Sequence, residues 1–167
     1  MCSGVAHEIM KDLPASTLYN AIISRKTGSL FSLAARFGAM AAGAPEKDVE
    51  QMARFGLQLG NTYQVQDDIQ DLLDVITGGK TADPITGTEF MLLKCLQVDD
   101  LTKQLIEDIL NGNVEPAKAQ SLLHKTGIVN TLTRKRDEEK EKTTGMVWHR
   151  SARMRLYVEH CVPENFL

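Results

Sequence analysis

Aromatic residues are scarce, making up 5% of the chain although 43% of it is hydrophobic. The core must then rest on aliphatic and alanine side chains, which suits helices better than sheets, whose surfaces favour aromatic and β-branched residues. Cysteine is scarce as well. Cys2, Cys95 and Cys161 are odd in number and far apart, with no Cys-x-x-Cys or Cys/His ligand spacing. That argues against a disulfide framework or a zinc site and makes a reducing cytoplasm the simplest compartment. Positive charge is not in excess: the net charge is -3. A general nucleic-acid surface, which needs clustered lysine and arginine, is not expected. Long apolar runs are missing too. The most apolar stretch, Leu30 to Ala44, contains Arg36 and is too short to cross a bilayer. No basic segment leads into an apolar one at the N-terminus, so no signal peptide is expected.

What is present reads as helix. At 167 residues the chain is long enough for one domain and short for two, so residues 1–167 are expected to form a single all-α domain. Pro14 and Pro45 stand where helices begin, at a first-turn position that tolerates a missing N–H. One long helical pattern runs from Ala15 to Gly43, and a second from Pro45 to about Val75. The segment Thr77 to Glu89 collects Gly, Thr, Asp and Pro and reads as a loop. Asp99 or Asp100 then caps a helix ending near Gly112. Glu115 to Thr126, stopped by Gly127, follows, and Ile128 to Lys142 and Thr144 to Cys161 complete the set. The alternating charges of residues 134–142 read as a solvated face. His7, His124, His149 and His160 share no spacing, and Arg150, Arg153 and Arg155 read as a solvated basic face.

Lys26 is the first anomaly. Tyr19, Ile22, Ile23, Leu30, Leu33 and Phe37 form one apolar stripe at spacings of three and four, and Lys26 interrupts it. A lysine there snorkels to water, pairs with an internal carboxylate, or meets an anionic ligand, because an unpaired buried ammonium costs several kcal/mol. The second anomaly is the run from Thr62 to Asp74, TYQVQDDIQDLLD. Gln64, Asp67, Asp68 and Asp71 fall within an arc of roughly 100° on one helix. Val65, Ile69, Leu72 and Leu73 occupy much of the other side. Carboxylates crowded on one face repel each other unless a cation neutralises them. Mg²⁺ suits such a group, because it takes one or two carboxylates and completes its shell with phosphate oxygens and water. The plainer reading is an acidic stripe on a surface helix.

Several stretches together resemble a known family. YNAIISRKTGSLFSLAARFGAMAAGA, residues 19–44, is similar to the Lys-Thr helix of trans-isoprenyl diphosphate synthases. FGLQLGNTYQVQDDIQD, residues 55–71, resembles the helix bearing that family's second aspartate-rich motif. GVAHEI, residues 4–9, resembles the segment before the Lys-Thr helix, with Val5 where glutamine is usual. The resemblance covers about residues 4–93. It implies an all-α bundle of the isoprenoid-synthase type, present as its C-terminal half. It also implies prenyltransferase chemistry in isoprenoid biosynthesis, in which an allylic diphosphate ionises with Mg²⁺ and isopentenyl diphosphate attacks the cation. By matched position, Asp67 and Asp68 bind the metal with Asp71 as the third site, and Lys26 binds the allylic diphosphate. Thr27 and Gln64 lie near the developing cation, Tyr63 near isopentenyl diphosphate, and Lys80 on the loop over the diphosphate.

The departures carry weight of their own. No aspartate pair precedes Asp67, so the family's first aspartate-rich motif is missing, together with the basic residues that accompany it. Gly87-Thr88 replaces the Gly-Lys that is usual in residues 83–92. These features imply a chain that elongates prenyl groups only with help from elsewhere, or a non-catalytic regulatory or scaffolding subunit of a prenyl synthase. A plain helical interaction domain is the third possibility. A homo-oligomer, or a complex with a second polypeptide supplying the N-terminal half, is expected, because large apolar faces are rarely left bare on soluble monomers.

Overall fold

The computed structural model describes residues 14–76, 88–96, 98–110, 113–115, 118, 121–122, 125–147 and 152–162. Among them every regular element is helical and none is a strand, as the composition led us to expect. The first helical stretch is α1 (Ala15–Ile23), a five-residue π turn (Ser24–Gly28), and α2 (Ser29–Ala41). Then come α3 (Glu46–Ile76), α4 (Thr88–Cys95), α5 (Asp100–Leu110), α6 (Ile128–Val147) and α7 (Ala152–Cys161).

Local chemistry sets several boundaries. Pro14 precedes the first turn of α1, and its carbonyl accepts from the Thr17 and Leu18 amides. α2 stops at Gly43, whose φ of 70° is a conformation open to glycine at little cost. The Gly43 amide bonds the Met40 carbonyl at 3.0 Å and the Ala44 amide bonds the Ala39 carbonyl at 3.0 Å. That Schellman pair ties off the end of α2, and Pro45 launches α3. Asp99 caps α5 as expected, its carboxylate accepting from the Thr102 amide at 2.9 Å and hydroxyl at 2.6 Å. Gly127, with a φ of 70°, is the turn residue before α6.

α3 is the axis of the molecule. With 31 residues it runs about 46 Å at 1.5 Å per residue. Its Val65, Ile69, Leu72 and Leu73 pack with Tyr19 and Ile23 of α1, Leu92 and Leu93 of α4, Ile106 of α5, and Ile128 and Leu132 of α6. A smaller cluster joins Phe55 and Leu59 of α3 to Val158 of α7. Along its other side α3 meets the π turn and α2 so closely that side chains are excluded. A Cβ on Gly60 would come within 2.8 Å of Gly28 Cα, and one on Gly56 would strike the Phe31 carbonyl oxygen.

Four expectations are corrected. The pattern from Ala15 to Gly43 is not one regular helix, since the π turn inserts at Ser24–Gly28. No boundary falls between Lys142 and Thr144. α6 continues to Val147 because Thr143, fully buried, bonds the Glu139 carbonyl and Thr144 bonds the Lys140 carbonyl. The charged run 134–142 is not wholly solvated either: the Arg136 side chain is 7% exposed and that of Glu139 12%. Of the predicted loop, residues 77–87 lie outside the described residues, while Thr88 and Glu89 belong to α4. Most of the predicted helix from Glu115 to Thr126 also lies outside them.

Candidate functional site: a carboxylate face joined to the π turn

The two anomalies of the sequence meet in space. Thr27, in the π turn, donates its hydroxyl to Gln64 Oε1 of α3 at 2.5 Å. Gln64 Nε2 in turn donates to Asp68 Oδ1 at 2.9 Å and, more weakly, to Asp67 Oδ2 at 3.4 Å. On the far side of Asp68, the hydroxyl of Tyr19 in α1 donates to Oδ2 at 2.6 Å. Tyr19, Gln64 and Asp68 are all buried, so these bonds operate where water screens little. Two helices are thereby locked through one relay: Tyr19, Asp68, Gln64, Thr27.

The π turn explains how the relay is reached. Widening the helix by one residue shifts the side chains that follow, and such turns are frequent at functional sites. Here the turn is gripped from α3: Asn61 Nδ2 donates to Ser24 Oγ at 3.0 Å, and Gly28 lies where any Cβ would strike Asn61 Oδ1. At the turn's end Ser29 Oγ bonds the Arg25 carbonyl at 2.7 Å.

Electrostatics single out Asp67. Its carboxyl is held above the usual carboxylate range by burial, then by the charges of Asp71 and Asp68. The Gln64 hydrogen bond and the Lys26 charge pull it back. Asp67 and Lys26 are exposed and Asp71 is half-buried. Lys26 is thus a solvent-facing cation close enough to influence Asp67, and the snorkelling reading of its place in the stripe accounts for its exposure. The phenol of Tyr19 is pushed far upward, first by burial and then by Asp68, so it keeps its proton and donates.

Among the described residues no three His, Cys, Asp or Glu side chains form a ready-made metal cage. The donor set nevertheless suits Mg²⁺, because a cation would offset the charge that Asp71 and Asp68 place on Asp67, and that ion relies on ligand oxygens for much of its shell. Thr27, Gln64, Asp67 and Asp68 are thus brought together, with Lys26 and Asp71 beside them. Tyr63 stands apart, 40% exposed, its ring 5.7 Å from that of Phe31. Lys80 lies outside the described residues. A cavity of about 430 Å³ between α1, α4 and α6 is walled by Tyr19 but by none of these other groups. Sequence reasoning missed Tyr19, Asn61 and the π turn. Tyr19 was placed in the apolar stripe, where only its hydroxyl hinted at a buried acceptor.

The fold and this face define a class: an all-α protein that gathers carboxylates and an ammonium group at one side of a long central helix. The chain belongs to the polyprenyl synthetase family, whose model matches residues 2–126. It is 33% identical over 100 residues to geranylfarnesyl diphosphate synthase of Methanosarcina mazei, covering 60% of this chain and 34% of that protein. It is 34% identical over 118 residues to heptaprenyl diphosphate synthase component 2 of Geobacillus stearothermophilus, covering 68% and 30%. To a short chain isoprenyl diphosphate synthase of Methanocaldococcus jannaschii it is 30% identical over 129 residues, covering 69% and 38%. The chain therefore matches about a third of the length of these curated relatives. No solved structure matches it. Among the described residues no helix is long and apolar enough to cross a membrane.

Proposed function

We propose that the chain is a prenyltransferase component that binds an allylic diphosphate through Mg²⁺ and supports elongation with isopentenyl diphosphate. The observation that carries this reading is the relay from Tyr19 to Thr27, which holds the carboxylate face of α3 against the Lys-Thr turn. Asp67, Asp68 and Asp71 are the residues that would hold the metal, and Lys26 and Lys80 would add positive charge for the diphosphate. Bound there, Mg²⁺ would neutralise charge on the departing diphosphate. Thr27 and Gln64 would lie near the developing allylic cation, Gln64 orienting the Thr27 hydroxyl dipole so that no reorganisation is needed as charge appears. Tyr63 would lie toward isopentenyl diphosphate.

The domain is proposed to be the C-terminal part of a prenyl-synthase fold, completed by a second copy or by a second polypeptide. Leu30, Leu33, Phe37 and Met40 of α2 support this, being 65%, 48%, 58% and 56% exposed along one helix face. A stripe of that kind is rarely left bare. The same stripe supports the second reading, a non-catalytic subunit that covers an active synthase, and two relatives are named as component 2 of a heptaprenyl diphosphate synthase.

The test is a product assay with the purified chain, Mg²⁺, isopentenyl diphosphate and a panel of allylic diphosphates, with calorimetry of allylic diphosphate binding beside it. Elongation, or Mg²⁺-dependent binding lost in Asp67→Asn, is the expected result. Absence of both in the wild-type chain would leave the subunit reading.

A further inference from the structure

We propose that Tyr19 and Asp68 are positioning residues that fix the hydrogen-bond polarity of Gln64 and Thr27, so that Thr27 turns an oxygen lone pair outward and keeps its proton inward. That the outward side is the substrate side rests on the function proposed above; the polarity itself does not.

Donors and acceptors fix the polarity of the relay. A carboxylate can only accept, and an amide has one accepting end and one donating end. Asp68 accepts from the Tyr19 hydroxyl at 2.6 Å and from Gln64 Nε2 at 2.9 Å. Were the Gln64 amide reversed, its oxygen would face a carboxylate oxygen at that same separation, two acceptors with no proton between them. Reversal is costly here, since Asp68 is 1% exposed, Gln64 5% and Tyr19 1%. Asp68 thus forces Gln64 to show its oxygen to Thr27. An amide oxygen can only accept, so Thr27 must spend its single proton on it. What remains of the Thr27 hydroxyl is acceptor, the negative end of a dipole, which is the sign that suits an allylic cation. Tyr19 closes the relay at the other end. Its phenol occupies Oδ2, holding the carboxylate in the rotamer that points Oδ1 at Gln64.

The substitution Asp68→Asn is the discriminating one, because it is isosteric and, with the Tyr19 hydroxyl still donating to the side-chain oxygen, it turns an amide nitrogen toward Gln64 and reverses the polarity with every bond kept. The Asn amide nitrogen would donate to Gln64 Oε1, Gln64 Nε2 would then donate to Thr27 Oγ1, and the Thr27 proton would turn outward to water. The readout is the Thr27 hydroxyl proton, observed by NMR in the full chain, labelled, free of metal and substrate. In the wild type a slowly exchanging hydroxyl resonance with a cross-peak to the Gln64 side chain is expected, and in Asp68→Asn its loss. Gln64→Leu, which removes the acceptor and leaves Asp68 in place, must also abolish it and serves if Asp68→Asn fails to fold. A Thr27 proton already in fast exchange in the wild type overturns the proposal, as does one unchanged in either variant. Because no metal or diphosphate is present, a failed product assay leaves this result standing, and the converse holds as well.

Discussion

The hydroxyl of Tyr19 stands 2.6 Å from Asp68 Oδ2, joining α1 to α3 across 49 residues of chain. Both side chains are almost wholly buried. A hydrogen bond to a charged group in that setting contributes more than an exposed one, and losing its donor takes one charge-assisted bond from a buried carboxylate. Tyr19→Phe should therefore lower unfolding stability by about 1–3 kcal/mol while leaving the helix content intact. Urea titration followed by circular dichroism measures it, and an unchanged midpoint would show that Asp68 does not depend on the phenol.

The crossing of the π turn and α3 makes a second expectation. Gly60 has Gly28 Cα and Phe31 Cβ within 2.8 and 2.9 Å of where its own Cβ would be, so Gly60→Ala must push two backbones apart. Overpacking of this kind costs about 1–3 kcal/mol. Gly145, inside α6 with nothing within 4 Å of its Cβ position, is the internal control. There Gly145→Ala should stabilise by about 0.5–1 kcal/mol, because alanine loses less chain entropy in a helix. Opposite signs in the two melting curves are the expected pattern.

Much of this was legible in the sequence. The carboxylate arc of α3 and its buried reverse side follow from helical spacing alone, and Val65, Ile69, Leu72 and Leu73 are all buried as that spacing requires. The cap at Asp99 is a local interaction and was readable for the same reason. What stayed hidden depends on residues far apart in the chain. The π turn has no periodic signature over five residues, and it is held by Asn61, 37 residues from Ser24. Tyr19 satisfied an apolar pattern with its ring, which concealed what its hydroxyl reaches. Thr143 looked like a boundary residue, but its hydroxyl lies 2.7 Å from that of Thr62 on α3, a contact that no local pattern contains.

The upward shift of Asp67 has a sign that can be checked. A carboxyl whose pKa is higher folded than unfolded holds its proton better in the folded state. Ionising it therefore costs stability as pH rises from the unfolded value of 3.8 through the folded one, and the cost is absent in acid. Asp67→Asn removes that cost. Its melting temperature should exceed the wild-type value near neutral pH, and the gap should narrow as pH falls toward 4. A gap that is flat with pH would mean that neither burial nor the Asp71 and Asp68 charges raise the Asp67 carboxyl.

The bare face of α2 predicts association. Phe37 is 58% exposed, so Phe37→Glu should leave the fold untouched while placing a charge in the middle of the stripe. Sedimentation velocity should show the wild type heavier than its 18.5 kDa chain and Phe37→Glu at the chain mass. If both sediment as monomers, the stripe awaits a different polypeptide.

Glu139 joins α6 to α3 through Gln58. Burial alone would raise its pKa, but hydrogen bonds from Lys135 at 2.8 Å and Lys142 at 2.7 Å outweigh burial and hold it below the usual range. Gln58 of α3 donates to its other oxygen at 3.1 Å. A carboxyl with a depressed folded pKa contributes stability above its unfolded value of 4.5, and that contribution is lost as pH falls through the folded one. Glu139→Gln should thus destabilise by about 1.5–3 kcal/mol at neutral pH, the range for hydrogen bonds to charged groups. The loss should shrink in acid, where the wild type forfeits the same charge. This is the opposite slope to that of Asp67→Asn, so the two variants measured over one pH series test both assignments. A Glu139→Gln penalty independent of pH would assign its role to shape and neutral hydrogen bonding, with the two lysines contributing nothing beyond screened surface pairs.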